Sequence, residues 1–179
     1  MADLKENQLA EITKPAYIRC FDSSGNSRRT TPANVLKQAG NSSGYINAGI
    51  CSGGKWYRIA KSGVLNRYAG CMLNLGNGYN VNSANGILLY VGFSGYIYKP
   101  VVIKIGNFGN KLIDKVRVLH KQSTSEGGMI DIKIYDWAVG SNQNELFISY
   151  ACNIGLTFQE VEEVSETPDA GYSAEEFSF

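Results

Sequence analysis

The sequence predicts a mainly β protein: an antiparallel β-sandwich or jelly roll, preceded by a small module made of a hairpin and a short helix. From residue 55 onward, short runs in which apolar and polar residues alternate are separated by turns rich in glycine and asparagine. No run of similar length has the periodicity of a long amphipathic helix. Because 44% of the 179 residues are hydrophobic, the chain has enough apolar surface for a buried core.

Residues 1–40 form the first predicted unit. Residues 16–21 and 28–30 are expected to pair as a hairpin around a turn rich in Ser, Gly and Asn. A threonine followed by Pro32 is typical of a helix start, and a short helix is expected over residues 32–38. A hairpin and one short helix cannot bury a core alone. We therefore expect this unit to rest on the main domain, on a sister chain or on a larger partner.

Three further regions follow this unit. Residues 41–54 are rich in Gly, Ser and Asn and are predicted to be a linker or a long first loop. Residues 55–164 are predicted to form the β-sandwich, and the apolar run Ile87–Val91 is expected to be a strand buried on both faces. About eight strands are expected in this domain, over residues 56–60, 69–75, 87–91, 101–105, 116–118, 130–134, 146–150 and 156–161.

Charge is distributed very unevenly along the chain. All 17 Lys and Arg residues lie at or before Lys133, with seven acids, so this part carries a net charge of +10. The remaining residues contain nine acids and no base. Such a split is typical of a solvated acidic tail or of a contact between oppositely charged surfaces, and we interpret it as a feature of assembly.

Residues 165–179 are predicted to be an acidic C-terminal tail. The segment combines Pro168, Gly171 and many acids, so it would be disordered in isolation. It also carries spaced aromatic side chains, which are typical of segments that become ordered against another surface. These side chains are the candidate anchors between subunits: Tyr172, Phe177 and Phe179.

Few residues point to catalysis. The single histidine, His120, lies beside a lysine at the end of a predicted strand, where a structural role is favoured over a catalytic one. Asp131 and Asp136 are five residues apart, so on a strand they face opposite sides and do not form the carboxylate pair of a glycosidase. Four scattered cysteines lack the spacing of a zinc site. We therefore expect no catalytic residue, no metal and no cofactor.

Two classes of partner are also disfavoured. The lysines and arginines are not concentrated along one helix or stripe, and the net charge of +1 gives no general attraction to nucleic acid. No apolar run approaches the length of a membrane-spanning segment, so no membrane insertion is expected.

Aromatic residues make sugar binding the most plausible small-ligand function. Their rings provide flat apolar faces, and Asn and Asp in nearby loops provide hydrogen-bonding groups. The same residues are ordinary strand residues, and packing is favoured for any one of them. Trp137, next to a glycine turn, and Tyr135 are the candidate glycan-binding residues. The other rings considered are Trp56, Tyr57, Tyr90, Tyr96 and Tyr98.

Two stretches of the sequence resemble phage fibre proteins. Residues 4–9 (LKENQL) through residues 17–26 (YIRCFDSSGN) resemble the N-terminal attachment module of small fibre proteins from tailed bacteriophages, notably crAss-like gut phages. Residues 54–60 (GKWYRIA) resemble the opening strand of the β-sandwich at the distal end of many phage fibres. The resemblance implies a homotrimer with its N-terminal part docked on the virion and its sandwich pointing outward. The sequence lacks a long repetitive shaft, which favours a short head fibre over a long tail fibre.

The expected function is therefore that of a structural virion protein, a trimeric head fibre made in the bacterial host cytoplasm. Its capsid-docking residues are expected to be Tyr17, Ile18, Phe21, Val35 and Leu36. Weak contact with host surface glycans is expected at the sandwich. The first alternative is the receptor-binding tip of a tail fibre, which recognises cell-surface polysaccharide. The second, an enzyme such as a depolymerase or esterase on a fibre, is disfavoured by the residue inventory.

Overall fold

The part of the chain that can be described consists of strands and their connections. The computed structural model describes residues 18–21, 27–30, 43–63, 68–77, 85–94, 99–121, 127–136 and 144–179. Within these ranges no helix is present that has the length and apolar character needed to cross a bilayer. The strands are β1 (Ile18–Phe21), β2 (Ser27–Thr30), β3 (Ser43–Cys51), β4 (Trp56–Ser62), β5 (Tyr68–Asn77), β6 (Asn85–Ser94), β7 (Val101–Phe108), β8 (Ile113–His120), β9 (Met129–Ile134), β10 (Asn144–Ile154), β11 (Leu156–Val164) and β12 (Ser173–Ser178).

The chain divides into two compact units, Met1–Asn41 and Ser42–Phe179. In the first unit, β1 and β2 pair antiparallel, with Ile18 opposite Thr30 and Phe21 opposite Ser27. The predicted hairpin is therefore present. The helix predicted over residues 32–38 lies outside the described residues.

The second unit contains two antiparallel five-stranded sheets. Sheet I has the strand order β3-β10-β5-β6-β7, and sheet II has the order β11-β4-β9-β8-β12. The mainly β prediction is confirmed, and each of the eight expected strands of residues 55–164 is present among β4 to β11.

Side chains from both sheets share one apolar core, as in a β-sandwich. Alternate residues of each strand point into it, because successive side chains of a strand face opposite sides of the sheet. Its fully buried members include Leu73, Leu89 and Ile148 from sheet I, and Ile59, Val116, Ile130 and Ile132 from sheet II. Burying each such side chain contributes roughly 1.5–3 kcal/mol relative to exposure.

The run Ile87–Val91 differs from its prediction. Ile87, Leu89 and Val91 are buried, whereas Leu88 and Tyr90 are only half-buried on the outer face of sheet I. The strand is therefore fully buried on one face only. Hydrophobicity alone does not reveal this difference, since Leu88 is as apolar as its neighbours.

The predicted linker, residues 41–54, is instead mostly a strand. Residues 43–51 form β3, which pairs along β10 with Ile46 opposite Ile148. Gly44 lies opposite Tyr150, where a Cβ would overlap the Tyr150 side chain. The glycine that favoured a loop therefore makes room for a cross-strand aromatic ring.

The predicted acidic tail, residues 165–179, is also part of the fold. Residues 173–178 form β12 and pair with β8 along the edge of sheet II. Phe177 and Phe179 pack against the shared core, which explains why this acid-rich segment is ordered. The domain therefore extends from β3 to the last residues of the sequence.

Candidate functional site

A cluster of buried charges lies on the outer face of sheet II. Strand register places Asp131 of β9 between Arg58 of β4 and Arg117 of β8. Asp131 lies between Ile130 and Ile132, which point into the shared core, so its side chain faces the other way. All three residues are buried: Arg58 is 5% exposed, and Arg117 and Asp131 are 0% exposed.

The carboxylate of Asp131 accepts hydrogen bonds from both arginines. Arg58 donates through Nε to Oδ1 at 2.9 Å and through Nη2 to Oδ2 at 3.3 Å. Arg117 donates to Oδ2 through Nη2 at 2.9 Å and through Nε at 3.2 Å. The Arg117 guanidinium also lies 4.3 Å from the centre of the Trp56 ring, a cation–π arrangement. One buried carboxylate therefore compensates part of the charge of two buried guanidinium groups.

The segment that joins β11 to β12, residues 165–172, completes this cluster. These strands are opposite edges of sheet II, so the segment must pass from one edge to the other. Arg117 donates to the backbone carbonyls of Ser165 at 3.0 Å and Glu166 at 2.7 Å. Arg58 donates to both carboxylate oxygens of Asp169, at 2.9 and 3.1 Å. With Asp169 included, two positive and two negative charges are balanced.

The ionisation of the cluster follows from these contacts. Burial works against the charged form of Arg58, but the hydrogen bonds that Arg58 donates to Asp169 and Asp131 outweigh it, so the pKa of Arg58 is raised. The hydrogen bond from Arg58 lowers the pKa of Asp169 below its usual value. The stability that this contact contributes is therefore present above the ordinary pKa of an aspartate. It is lost as the pH falls through the lowered pKa.

The positive and negative parts of the sequence contact each other within the same chain. In the described residues, five bases from the positive part form ion pairs with acids near the C-terminus. The pairs are Lys55 with Glu163, Arg58 with Asp169, Lys99 with Glu175, Lys115 with Glu176 and Lys133 with Glu166, at N–O distances of 3.2, 2.9, 3.8, 2.7 and 2.9 Å. The C-terminal acids are thus not merely solvated, and the charge split does not require a second subunit to explain it.

The residues considered for catalysis have structural surroundings. Asp131 is committed to its two arginines, whereas Asp136 is exposed just beyond the end of β9. His120 ends β8, where it pairs with Ser173 of β12. Burial raises the pKa of Cys51 to about 11 and that of Cys71 to about 12, so both remain thiols at neutral pH.

The predicted capsid-docking residues belong to the first unit. Ile18 and Phe21 are the first and last residues of β1, so the structure brings both to the hairpin. Tyr17, Val35 and Leu36 lie outside the described residues. Their role in docking stays a prediction.

Of the two predicted glycan-binding residues, only Tyr135 is among the described residues. Trp137 lies outside the described residues. Tyr135 follows β9, is 36% exposed, and has the ammonium of Lys111 5.1 Å from its ring centre. The structure does not test whether either residue binds a sugar.

The predicted inter-subunit anchors make contacts within their own chain. Phe177 and Phe179 pack on the core, and the Tyr172 ring has the ammonium of Lys121 5.4 Å from its centre. These contacts order the C-terminal segment. A role between subunits stays a prediction for all three residues.

Exposed apolar surface is concentrated on sheet I. Eight of the nine exposed large hydrophobic side chains in the described residues belong to its strands, and four of them belong to the edge strand β7. The four on β7 are Val101, Ile103, Ile105 and Phe108, with exposed fractions of 45%, 52%, 52% and 71%. The strand β7 is the last strand in the order of sheet I. We refer to Ile103, Ile105 and Phe108 as the β7 surface.

Comparisons with known proteins identify no family for this chain. No protein-family model matches the chain, and no curated protein matches it. The tailspike protein of Acinetobacter phage vB_ApiP_P1 is similar in structure, with a TM-score of 0.37 and 12% sequence identity over 91% of this chain and 26% of that protein. The chain thus spans about a quarter of the length of the tailspike. A likeness at this level establishes neither a shared fold nor a shared activity.

Proposed function

We propose that the chain is a structural protein of a phage virion, a homotrimeric head fibre attached to the capsid by its N-terminal unit. The β7 surface carries this proposal. Large exposed apolar patches are uncommon on monomeric soluble proteins and usually mark a contact with another molecule. The outer face of sheet II, by contrast, is contacted by residues 165–172 of the same chain.

The position of β7 makes a second copy of the chain a suitable cover. As the last strand of sheet I, it has one side without a neighbouring strand in that sheet. A long apolar edge strand promotes uncontrolled association unless it is covered. A closed three-fold arrangement covers the same surface on every copy and leaves no free end. The resemblance of residues 54–60 to a fibre sandwich agrees with this arrangement.

The first unit supports attachment to a larger structure. Its described strands have four residues each, and a two-stranded hairpin of that size is marginal in water. A capsid protein would supply the missing apolar contacts. The proposed docking residues remain Tyr17, Ile18, Phe21, Val35 and Leu36.

The receptor-binding tip of a tail fibre is the second candidate. One observation favours it: an open cleft of about 470 Å³ on sheet I, lined in part by Tyr68 and Tyr90, whose volume is typical of a small-ligand site. The two candidates differ in where the chain sits on the particle.

Immunogold labelling of purified virions tests the proposal. With an antibody against residues 42–179, we expect gold particles on the head surface. Virions from a phage that encodes only residues 42–179 are the matched control. They should carry no label, because the docking unit is missing, and we expect the shortened chain itself to fold.

Label at the tail tip would support the receptor-binding alternative instead. Intact virions without label, from cells that contain the protein, would contradict a virion role. Equal labelling with and without the first unit would show that residues 1–41 do not attach the fibre.

A further inference from the structure

Two tyrosines of sheet I lie tip to tip on its outer face. Tyr68 begins β5 and Tyr90 is on the adjacent strand β6, and their hydroxyl oxygens are 2.6 Å apart. Burial, together with the hydrogen bond to Tyr90, raises the pKa of Tyr68 to about 12. This hydroxyl therefore stays protonated at neutral pH, while Tyr68 as a residue remains 43% exposed.

Two glycines allow these rings to lie along the sheet. Each tyrosine is followed two residues later by a glycine on the same face, and Gly70 is directly opposite Gly92. A Cβ at Gly70 would overlap the Tyr68 hydroxyl. A Cβ at Gly92 would lie 2.9 Å from Oη of Tyr90 and 3.3 Å from Cε2 of Tyr68. The absence of both Cβ atoms thus lets the rings lean towards each other over the glycine pair.

The rings form part of the wall of an open cleft of about 470 Å³. The cleft is also lined by the hydroxyl-bearing Ser94, the apolar Val101 and the ammonium-bearing Lys99. Small-ligand sites in proteins occupy roughly 300–1,000 Å³ and combine apolar walls with a few polar groups. Lys99 is 86% exposed and approaches Glu175 at 3.8 Å, so its ammonium retains access to solvent.

We propose that this cleft binds a hexopyranose unit of a glycan, with the C–H face of the sugar stacked on the Tyr68 and Tyr90 rings. Glucosyl and galactosyl rings present C–H groups on one face and hydroxyls at the rim. The rings match the first feature, because aromatic faces are apolar and flat. The tyrosine hydroxyls, Ser94 and Lys99 match the second, because hydroxyl and ammonium groups of the lining can form hydrogen bonds with sugar hydroxyls.

The site lies beside the β7 surface rather than on it. Val101 is the only β7 residue that lines the cleft, whereas the proposed subunit contact is centred on Ile103, Ile105 and Phe108. The sugar site goes beyond the structural role proposed above. It does not depend on head attachment, so either proposal can fail without the other.

Saturation-transfer NMR on the full chain tests the site with cellotriose and lactose as probes. We expect transfer to the C–H protons of the sugar ring and weak, saturable binding. Tyr68→Ala should weaken binding by about tenfold, the loss that corresponds to one aromatic contact. Gly92→Ala keeps both tyrosines but adds a Cβ close to both rings, so the ring ends must shift by a few tenths of an ångström, and we expect a smaller but measurable loss.

Tyr45→Ala is the matched control, because Tyr45 is a 63% exposed tyrosine of sheet I that does not line the cleft. It should leave binding unchanged. If Tyr68→Ala fails to fold, Gly92→Ala still decides the question. The proposal is overturned if neither sugar binds the parent chain, if Gly92→Ala binds as the parent does, or if Tyr45→Ala loses binding equally.

Discussion

Replacing Asp131 with Asn should destabilise the protein by about 3–5 kcal/mol, the usual effect of removing one partner from a buried charge cluster. The change keeps the size of the side chain but removes the negative charge between Arg58 and Arg117. Both guanidinium groups are almost fully buried, so water cannot replace the lost charge. Since a domain of this kind is stable by only about 5–15 kcal/mol, the loss is a large fraction of the total.

Urea unfolding of both proteins measures this effect through the change in midpoint. Glu163→Gln is the matched control, because its ion pair with Lys55 joins side chains that are 52% and 57% exposed. Exposed pairs contribute about 0–1 kcal/mol, so this variant should unfold close to the parent. If Asp131→Asn behaves like Glu163→Gln, the buried cluster does not have the structural role assigned to it.

Ending the chain after Val164 should prevent cooperative folding of the second unit. The deletion removes Asp169, which accepts hydrogen bonds from Arg58, and the carbonyl groups that accept hydrogen bonds from Arg117. Both buried arginines therefore lose hydrogen-bond partners. It also removes β12, which pairs along β8 and contributes Phe177 and Phe179 to the core. The combined loss should exceed that of Asp131→Asn.

A chain that ends after Tyr172 separates the two contributions. It keeps the contacts of residues 165–172 with both arginines but lacks β12, and we expect it to fold with a lowered melting temperature. Circular dichroism and thermal unfolding compare the two deletions with the full chain. A chain of residues 1–164 that melts as the full chain does would show that the C-terminal segment is dispensable.

Much of the fold could be predicted because the alternation of apolar and polar residues along a strand is a local property of the sequence. Ile130, Ile132 and Ile134 show a period of two, and β9 follows directly from it. The strand β3 was missed because glycine, serine and asparagine mask the half-buried Ile46 and Ala48. The strand β12 was missed because its acids are typical of solvated tails, whereas two of them pair with lysines of the same chain.

The candidate sites were harder to predict because they depend on which strands are neighbours. Alternation placed Asp131 on the face away from the core, which is correct. It could not place two arginines beside it, since Arg58 is 73 residues away in sequence. The pattern Tyr-x-Gly at residues 68–70 and 90–92 was visible in the sequence. Only the pairing of β5 with β6 turns it into one surface.

The mass of the full chain in solution tests the proposed assembly most directly. Sedimentation equilibrium at micromolar concentration should give about 59 kDa, three times the chain mass of 19.6 kDa. Ile103→Lys places a charge on the β7 surface and should shift the population towards the single-chain mass. A mass of 19.6 kDa for the unaltered chain across the concentration range would contradict the trimeric fibre.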